Sequence, residues 1–268
     1  AGIRRFWIDH AKAIRRIAAE FGRALGTPAV CNEWAPDGFK DIPADRLAPR
    51  ERLRESLDEI FAETIDESLV LDAVESKLFG IGAESYTVGS HDFYLSYAAK
   101  SGKLICLDSG HFHPTESIGD KLSAITAMQG RILLHVSRGV RWDSDHVLIQ
   151  GDDLSALMQE MKRGGFFHRV GMGLDYFDAS INRICAWVVG MRNMQKALLY
   201  ALLMPNEKLA KLQEERRFTE LMMEQEELKT YPFGDVWDYF CQMNQVPVKE
   251  QWFKEVQAYE KEVLLKRS

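Results

Sequence analysis

Short apolar runs alternate with amphipathic, helix-patterned stretches through the first 175 residues, and four of the runs end on or beside an acid or an imidazole. No other feature constrains the fold as much. The runs are Ala29–Trp34, Leu69–Val74, the start of the 104–113 stretch, Ile132–Val136 and Val170–Leu174. Each is the length of a buried strand, and helix-periodic segments separate them, so the expected unit is parallel βαβ. The expected helices cover 3–25, Pro49–Ile65, Ser90–Lys100, Ser117–Met128 and Asp152–Arg163. In the first of them Ile3, Phe6, Ile14, Ile17, Ala18, Phe21 and Leu25 recur at helical spacing. From Ala179 onward the pattern is helix alone, across 179–204, 207–229, 235–243 and 250–266, with Ile181, Ile184, Cys185, Val188, Met191 and Leu198 giving one apolar face. Charges such as Glu214–Arg217 read there as a solvated helical face.

Glu75, Asp108, His135 and Asp175 stand at or near the carboxyl ends of four consecutive strands. In a (β/α)8 TIM barrel those ends open on one mouth, whereas a doubly wound sheet spreads them along a line. Convergence therefore favours an α/β barrel. Five strands are too few to close one, so the reading is an incomplete barrel, about the last five βα units, over residues 1–178. Residues 179–268 form a helical extension that covers the barrel and serves oligomerisation. The chain opens inside a helical pattern without an initiator Met, which leads us to expect an absent N-terminal portion and little activity from these 268 residues alone.

Composition narrows the functional classes. With 46% apolar residues the chain can bury a globular core, and a formal charge of -6 without a basic block argues against nucleic acid as a partner. No run approaches the ~18 apolar residues of a bilayer span. The cysteines (Cys31, Cys106, Cys185 and Cys241) have no paired spacing, as in a cytoplasmic protein with reduced core thiols.

Carboxylates and imidazoles at this density are the ligand types of divalent metals. Strand ends supply Glu75, Asp108, His135 and Asp175; loops supply His111, Asp143 and Asp145. In extended backbone Asp143 and Asp145 point to one side, because side chains alternate with period two. Asp108 stands close enough to His111 to serve both sets. Five carboxylates and two imidazoles suit two ions of Mn2+, Zn2+, Co2+ or Mg2+, with Lys77 helping to balance charge. The rival reading makes each Asp a helix cap and His135 a satisfied core residue. Trp34 is either a core aromatic or a pocket wall, and His113 is taken as a further sugar-facing residue.

Four segments carry a resemblance. They are Glu75-Ser-Lys77-Leu-Phe-Gly-Ile-Gly, Leu-Asp108-Ser-Gly-His111-Phe-His113-Pro-Thr-Glu, His135-Val-Ser-Arg-Gly-Val-Arg-Trp-Asp143-Ser-Asp145-His and Gly-Leu-Asp175-Tyr-Phe-Asp. The chain resembles the L-rhamnose isomerase family nearly end to end. The resemblance implies a cytoplasmic, metal-dependent homotetramer interconverting L-rhamnose and L-rhamnulose. It further implies that Glu75, Asp108, His135 and Asp175 hold a structural ion. His111, Asp143 and Asp145, sharing Asp108, hold a catalytic one, with Lys77 and Trp34 at the sugar. Two departures stand out: His168 where the family has an acid, and Gly139 where it has proline. Rival functions are an isomerase or epimerase of another aldose, or a non-catalytic barrel fragment.

Overall fold

The computed structural model describes residues 2–80, 82–141, 143–178 and 180–267, with Asp143 described in its backbone alone. In chain order the elements are α1 (Gly2–Leu25), β1 (Ala29–Trp34), β2 (Gly38–Phe39), α2 (Leu47–Ile60), β3 (Val70–Glu75), β4 (Tyr86–Thr87), α3 (His91–Ser101), β5 (Leu104–Asp108), α4 (Ile118–Gln129), β6 (Ile132–Val136), β7 (Arg138–Val140), β8 (Asp143–His146), α5 (Asp152–Arg163) and β9 (Val170–Leu174). Five helices follow: α6 (Arg183–Leu203), α7 (Asn206–Glu214), α8 (Phe218–Leu228), α9 (Phe233–Met243) and α10 (Trp252–Glu262).

Five strands form one parallel sheet in the order β1-β3-β5-β6-β9, each beside its predecessor in the chain. The order never reverses, so this is a singly wound, half-barrel sheet and not a doubly wound one with a switch point. β2 with β4 and β7 with β8 make two small antiparallel ribbons. The register sets Trp34 beside Glu75, Glu75 beside Cys106, Asp108 beside His135, and His135 beside Gly173. Cross-strand partners share a face, so Asn32, Trp34, Glu75, Asp108 and His135 fall on one side of the sheet. The other side carries Val70, Asp72, Val74, Ile105, Leu107, Ile132, Leu134 and Val136, nearly all fully buried.

The chain divides into two compact units, Ala1–His146 with Phe166–Tyr176, and Val147–Gly165 with Phe177–Ser268. The first holds the sheet; the second holds α5 to α10. Within the second, Asn182 caps α6, its Oδ1 accepting from the Ile184 and Cys185 amides at 2.9 and 3.2 Å.

Helix α1 turns a different face inward from the one its large apolar residues mark. Ile8, Ala11, Arg15, Ala18, Ala19 and Gly22 are buried, while Ile3, Phe6, Ile14, Ile17, Phe21 and Leu25 are exposed. Two contacts fix that rotation. Arg15 forks onto Asp72 through Nε and a terminal nitrogen, both at 2.8 Å, and its other terminal nitrogen donates to the carbonyls of Ile60 and Glu63. Gly22 lies so close to β3 that a Cβ there would stand 2.0 Å from the Leu69 carbonyl oxygen. Small residues and one buried guanidinium thus decide which side faces the sheet.

The expected 207–229 helix is two helices. Arg216 has φ +57°, its amide donates to Gln213 O and that of Arg217 to Leu212 O, the paired bonds of a Schellman stop. Gln245 ends α9 in the same way. In α6 the buried stripe is Cys185, Ala186, Gly190, Met194, Ala197 and Ala201, and Ile181 and Met191 from the expected apolar face are exposed.

Candidate functional site

Glu75, the last residue of β3, is 2% exposed. Its Oε1 lies 3.1 Å from His111 Nδ1 and its Oε2 lies 3.2 Å from His135 Nδ1. Asn32, two residues before Trp34 on the same face, donates to that second oxygen through Nδ2. His135 Nδ1 is also 3.1 Å from Asp175 Oδ2 at the end of β9. Gly173 leaves that ring its room, since a Cβ there would stand 3.4 Å from His135 Cδ2. Asp108 closes the group from β5, its Oδ1 accepting from the Gly110 amide at 2.7 Å and the Ser137 hydroxyl at 2.6 Å. One ligand atom each from Glu75, Asp108, His135 and Asp175 falls within 4.8 Å of the other three.

A second group adjoins it. His111 Nε2 stands 3.1 Å from Asp145 Oδ1, and Asp108, His111 and Asp145 also bring three ligand atoms within 4.8 Å. Lys77 Nζ donates to Ser144 Oγ at 2.9 Å and lies 3.7 Å from Asp145 Oδ2. The same ammonium stands 5.6 Å from the centroid of the Trp34 ring, which in turn stacks on His111 at 6.4 Å. Trp34 is 39% exposed, so it presents an open aromatic face beside the charged groups and is not a core residue.

The sequence expectations meet this geometry unevenly. Asp145 reaches His111, yet with φ +66° it departs from extended backbone, so the period-two argument pairing it with Asp143 does not apply. The Asp143 side chain lies outside the described residues. His113 belongs to neither ligand group; its Nδ1 is 2.7 Å from Thr115 Oγ1. His168 precedes β9, at the opposite end of that strand from Asp175. Gly139 sits in the β7 ribbon. Sequence reasoning missed Asn32, Ser137 and Ser144. For Asn32 a signal existed, since it lies two residues from Trp34 on the site-facing side of β1. The serines carried none, because Ser137 comes in from the link between β6 and β7 and Ser144 from the short strand β8.

Electrostatics in this cage call for positive charge. Burial opposes ionisation of Glu75, but the imidazoles of His111 and His135 outweigh it and hold the carboxyl at about 2. Burial likewise works against charge on both imidazoles, yet Asp145 and Glu75 push His111 up to about 10, and Asp175 and Glu75 do the same for His135. Burial lifts Asp108 to about 6, with Glu75 adding to it against His111, Ser137 and Gly110. Protons on two histidines thus supply the positive charge that a bound cation would.

Two buried atoms test whether an ion fits. His135 Nδ1 and Asp108 Oδ2 have no hydrogen-bond partner although carboxylate oxygens crowd the first of them. Ligand atoms gathered within 4.8 Å, two of them unsatisfied, are what a divalent ion would complete. Three carboxylates and an imidazole are a hard-to-borderline donor set. Cys106 also lies within reach, but burial pushes its thiol well up, so it stays protonated and packs with Ala73 and Leu133.

The fold and site define a class first: a parallel α/β half-barrel whose strand ends gather groups that could hold a divalent ion. A family model for L-rhamnose isomerase matches residues 1–267. The L-rhamnose isomerase of Listeria innocua is 57% identical over 265 residues, covering 99% of this chain and 63% of that protein. That of Salmonella newport is 56% identical over 268 residues, covering 100% of this chain and 64% of its own length. The chain belongs to the L-rhamnose isomerase family, and it spans just under two thirds of the length of these relatives.

Proposed function

We propose that this chain carries the metal-binding half of an aldose–ketose isomerase that interconverts L-rhamnose and L-rhamnulose. The observation that carries the reading is the convergence of Glu75, Asp108, His135 and Asp175 on one point with two buried ligand atoms unpartnered. Those four would hold a structural ion; Asp108, His111, Asp143 and Asp145 would hold a catalytic one, with Mn2+ the best-suited metal and Zn2+, Co2+ or Mg2+ as substitutes. When bound, the ions polarise the sugar carbonyl as Lewis acids and orient its oxygens.

The chain's own residues do the rest. Lys77, pinned by Ser144, sets a fixed ammonium where negative charge develops on a sugar oxygen. Trp34 offers an apolar wall against the sugar's carbon face and limits water there. His111 is braced on one ring nitrogen by Glu75 and the Ser76 carbonyl, so its other nitrogen keeps a fixed direction toward Asp145. His113, near the same loop, is a further sugar contact in this reading.

The wider assignment follows the family: an incomplete (β/α)8 barrel here, a C-terminal helical region serving assembly, and a cytoplasmic homotetramer. Four free, buried cysteines agree with a reducing compartment, and no helix among the described residues is long and apolar enough to cross a membrane. The decisive test is a chimera in which this chain replaces the matching region of the Listeria innocua enzyme. It is expected to isomerise L-rhamnose with Mn2+ and to lose that activity on chelation. A chimera that folds, binds Mn2+ and turns over another aldose in preference would overturn the substrate assignment.

A further inference from the structure

The second unit holds a cleft of about 1020 Å3 that the metal reading neither uses nor depends on, walled by α5, α6 and α9 and the start of α10. Arg192 and Lys196, one helical turn apart on α6, both stand over the Trp237 indole, at 5.2 and 5.7 Å from its centroid. Like charges at that spacing repel. Neither forms an ion pair with a carboxylate among the described residues: Arg192 donates to the carbonyls of Pro247 and Lys249 at 3.0 and 3.2 Å. Burial, and then Arg192, draw the Lys196 ammonium below its ordinary pKa.

Trp237 supplies an independent sign. It is 6% exposed, and its indole Nε1 is buried without a hydrogen-bond partner. A buried donor left unpaired beside two cations that share one ring, with Asp238 the carboxylate that acts on Lys196, marks a place for an acceptor-rich, negatively charged group. The first turns of α5 and α9 also line the cleft without a side-chain cap, though acids sit in both turns and the Phe233 and Asp235 amides of α9 donate to the Tyr231 and Pro232 carbonyls. The wall carries acids too, Asp152 and Asp235 among them. Those carboxylates would repel a bare anion but accept hydroxyl hydrogens.

We propose that this cleft binds a small polyhydroxylated molecule through its phosphate group, the phosphate meeting Arg192, Lys196 and the Trp237 indole N–H while hydroxyls meet the acids of the wall. The test uses the whole chain, treated with EDTA, and titrates glucose 6-phosphate, inorganic phosphate and glucose at constant ionic strength. Isotope-labelled tryptophan gives six indole N–H resonances, one per tryptophan, and Trp237→Phe assigns the one that matters. The expected result is a saturable shift of the Trp237 resonance with the sugar phosphate, weaker with inorganic phosphate and absent with glucose. Lys196→Gln is expected to weaken binding about tenfold or more, and Trp237→Phe, followed by calorimetry, about threefold. Equal affinity for inorganic phosphate would keep the phosphate contacts and overturn the hydroxyl ones. An unmoved Trp237 resonance, or a shift undiminished in a folded Lys196→Gln, would overturn the site.

Discussion

Asp72 and Glu75 stand three residues apart on β3, both buried, on opposite faces of one sheet, and they are neutralised in opposite ways. Asp72 meets permanent cations: the Arg15 fork at 2.8 Å and Lys103 Nζ at 2.8 Å, with both cations also over the Phe61 ring. Glu75 meets two imidazoles, the Asn32 amide and the Cys106 thiol among the described residues. A carboxylate closed off by fixed positive charge is structural, because nothing exchangeable is left to bind there. One surrounded by titratable imidazoles and further acids keeps its charge balance open. The comparison teaches which end of the sheet is built to hold the fold and which to hold an ion.

The largest expected effect tests the closed end. Arg15→Met strips Asp72 of its main partner, and breaking a buried pair costs about 3–5 kcal/mol. Denaturant unfolding should show that loss, while Arg15→Met combined with Asp72→Leu should recover most of it. Recovery by the double variant without change in metal affinity would sharpen the contrast.

Next comes the open end. Glu75→Gln is isosteric and should leave the chain folded, yet reduce affinity for Mn2+ by about a hundredfold or more by calorimetry. Metal affinity equal to wild type would break the comparison.

A further effect is expected from pH in the metal-free chain. His111 and His135 titrate near 10 when folded against an ordinary 6.5, so the stability they give is full below about 6.5 and lost as pH rises through 10. Asp108, raised to about 6, acts in the same direction over its own range. Glu75, held near 2, works oppositely and is lost only as pH falls from about 4.5 through 2. Thermal unfolding in EDTA should therefore peak at about pH 4, where Glu75 is ionised and Asp108 still holds its proton, and decline toward pH 10. Saturating Mn2+ should remove the alkaline decline, since the ion replaces the protons.

The smallest effect is at Ser137, whose hydroxyl orients Asp108 at 2.6 Å. Ser137→Ala should weaken Mn2+ binding about tenfold and cost about 1 kcal/mol of stability.

Much of this was legible in the sequence, because strand ends and ligand types are local signals. Ala29–Trp34, Ile132–Val136 and Val170–Leu174 read from their apolar runs and flanking punctuation with the bounds the structure has. Glu75, Asp108, His135 and Asp175 read as a set because parallel strands bring their carboxyl ends together. What escaped was long-range or unsignalled. The rotation of α1 depends on Arg15 finding Asp72, 57 residues away, which overrides a stripe of larger apolar residues. The stop at Arg216 uses a left-handed residue without glycine, so no breaker marks it. Asn32 reads as an ordinary strand residue until the register sets it beside Glu75.

Anomalous diffraction from crystals soaked in Mn2+ tests the central claim directly. A peak is expected among Glu75, Asp108, His135 and Asp175, about 2.0–2.3 Å from one atom of each. Ordered crystals at saturating Mn2+ with no peak there, or with the ion held by other residues alone, would contradict it.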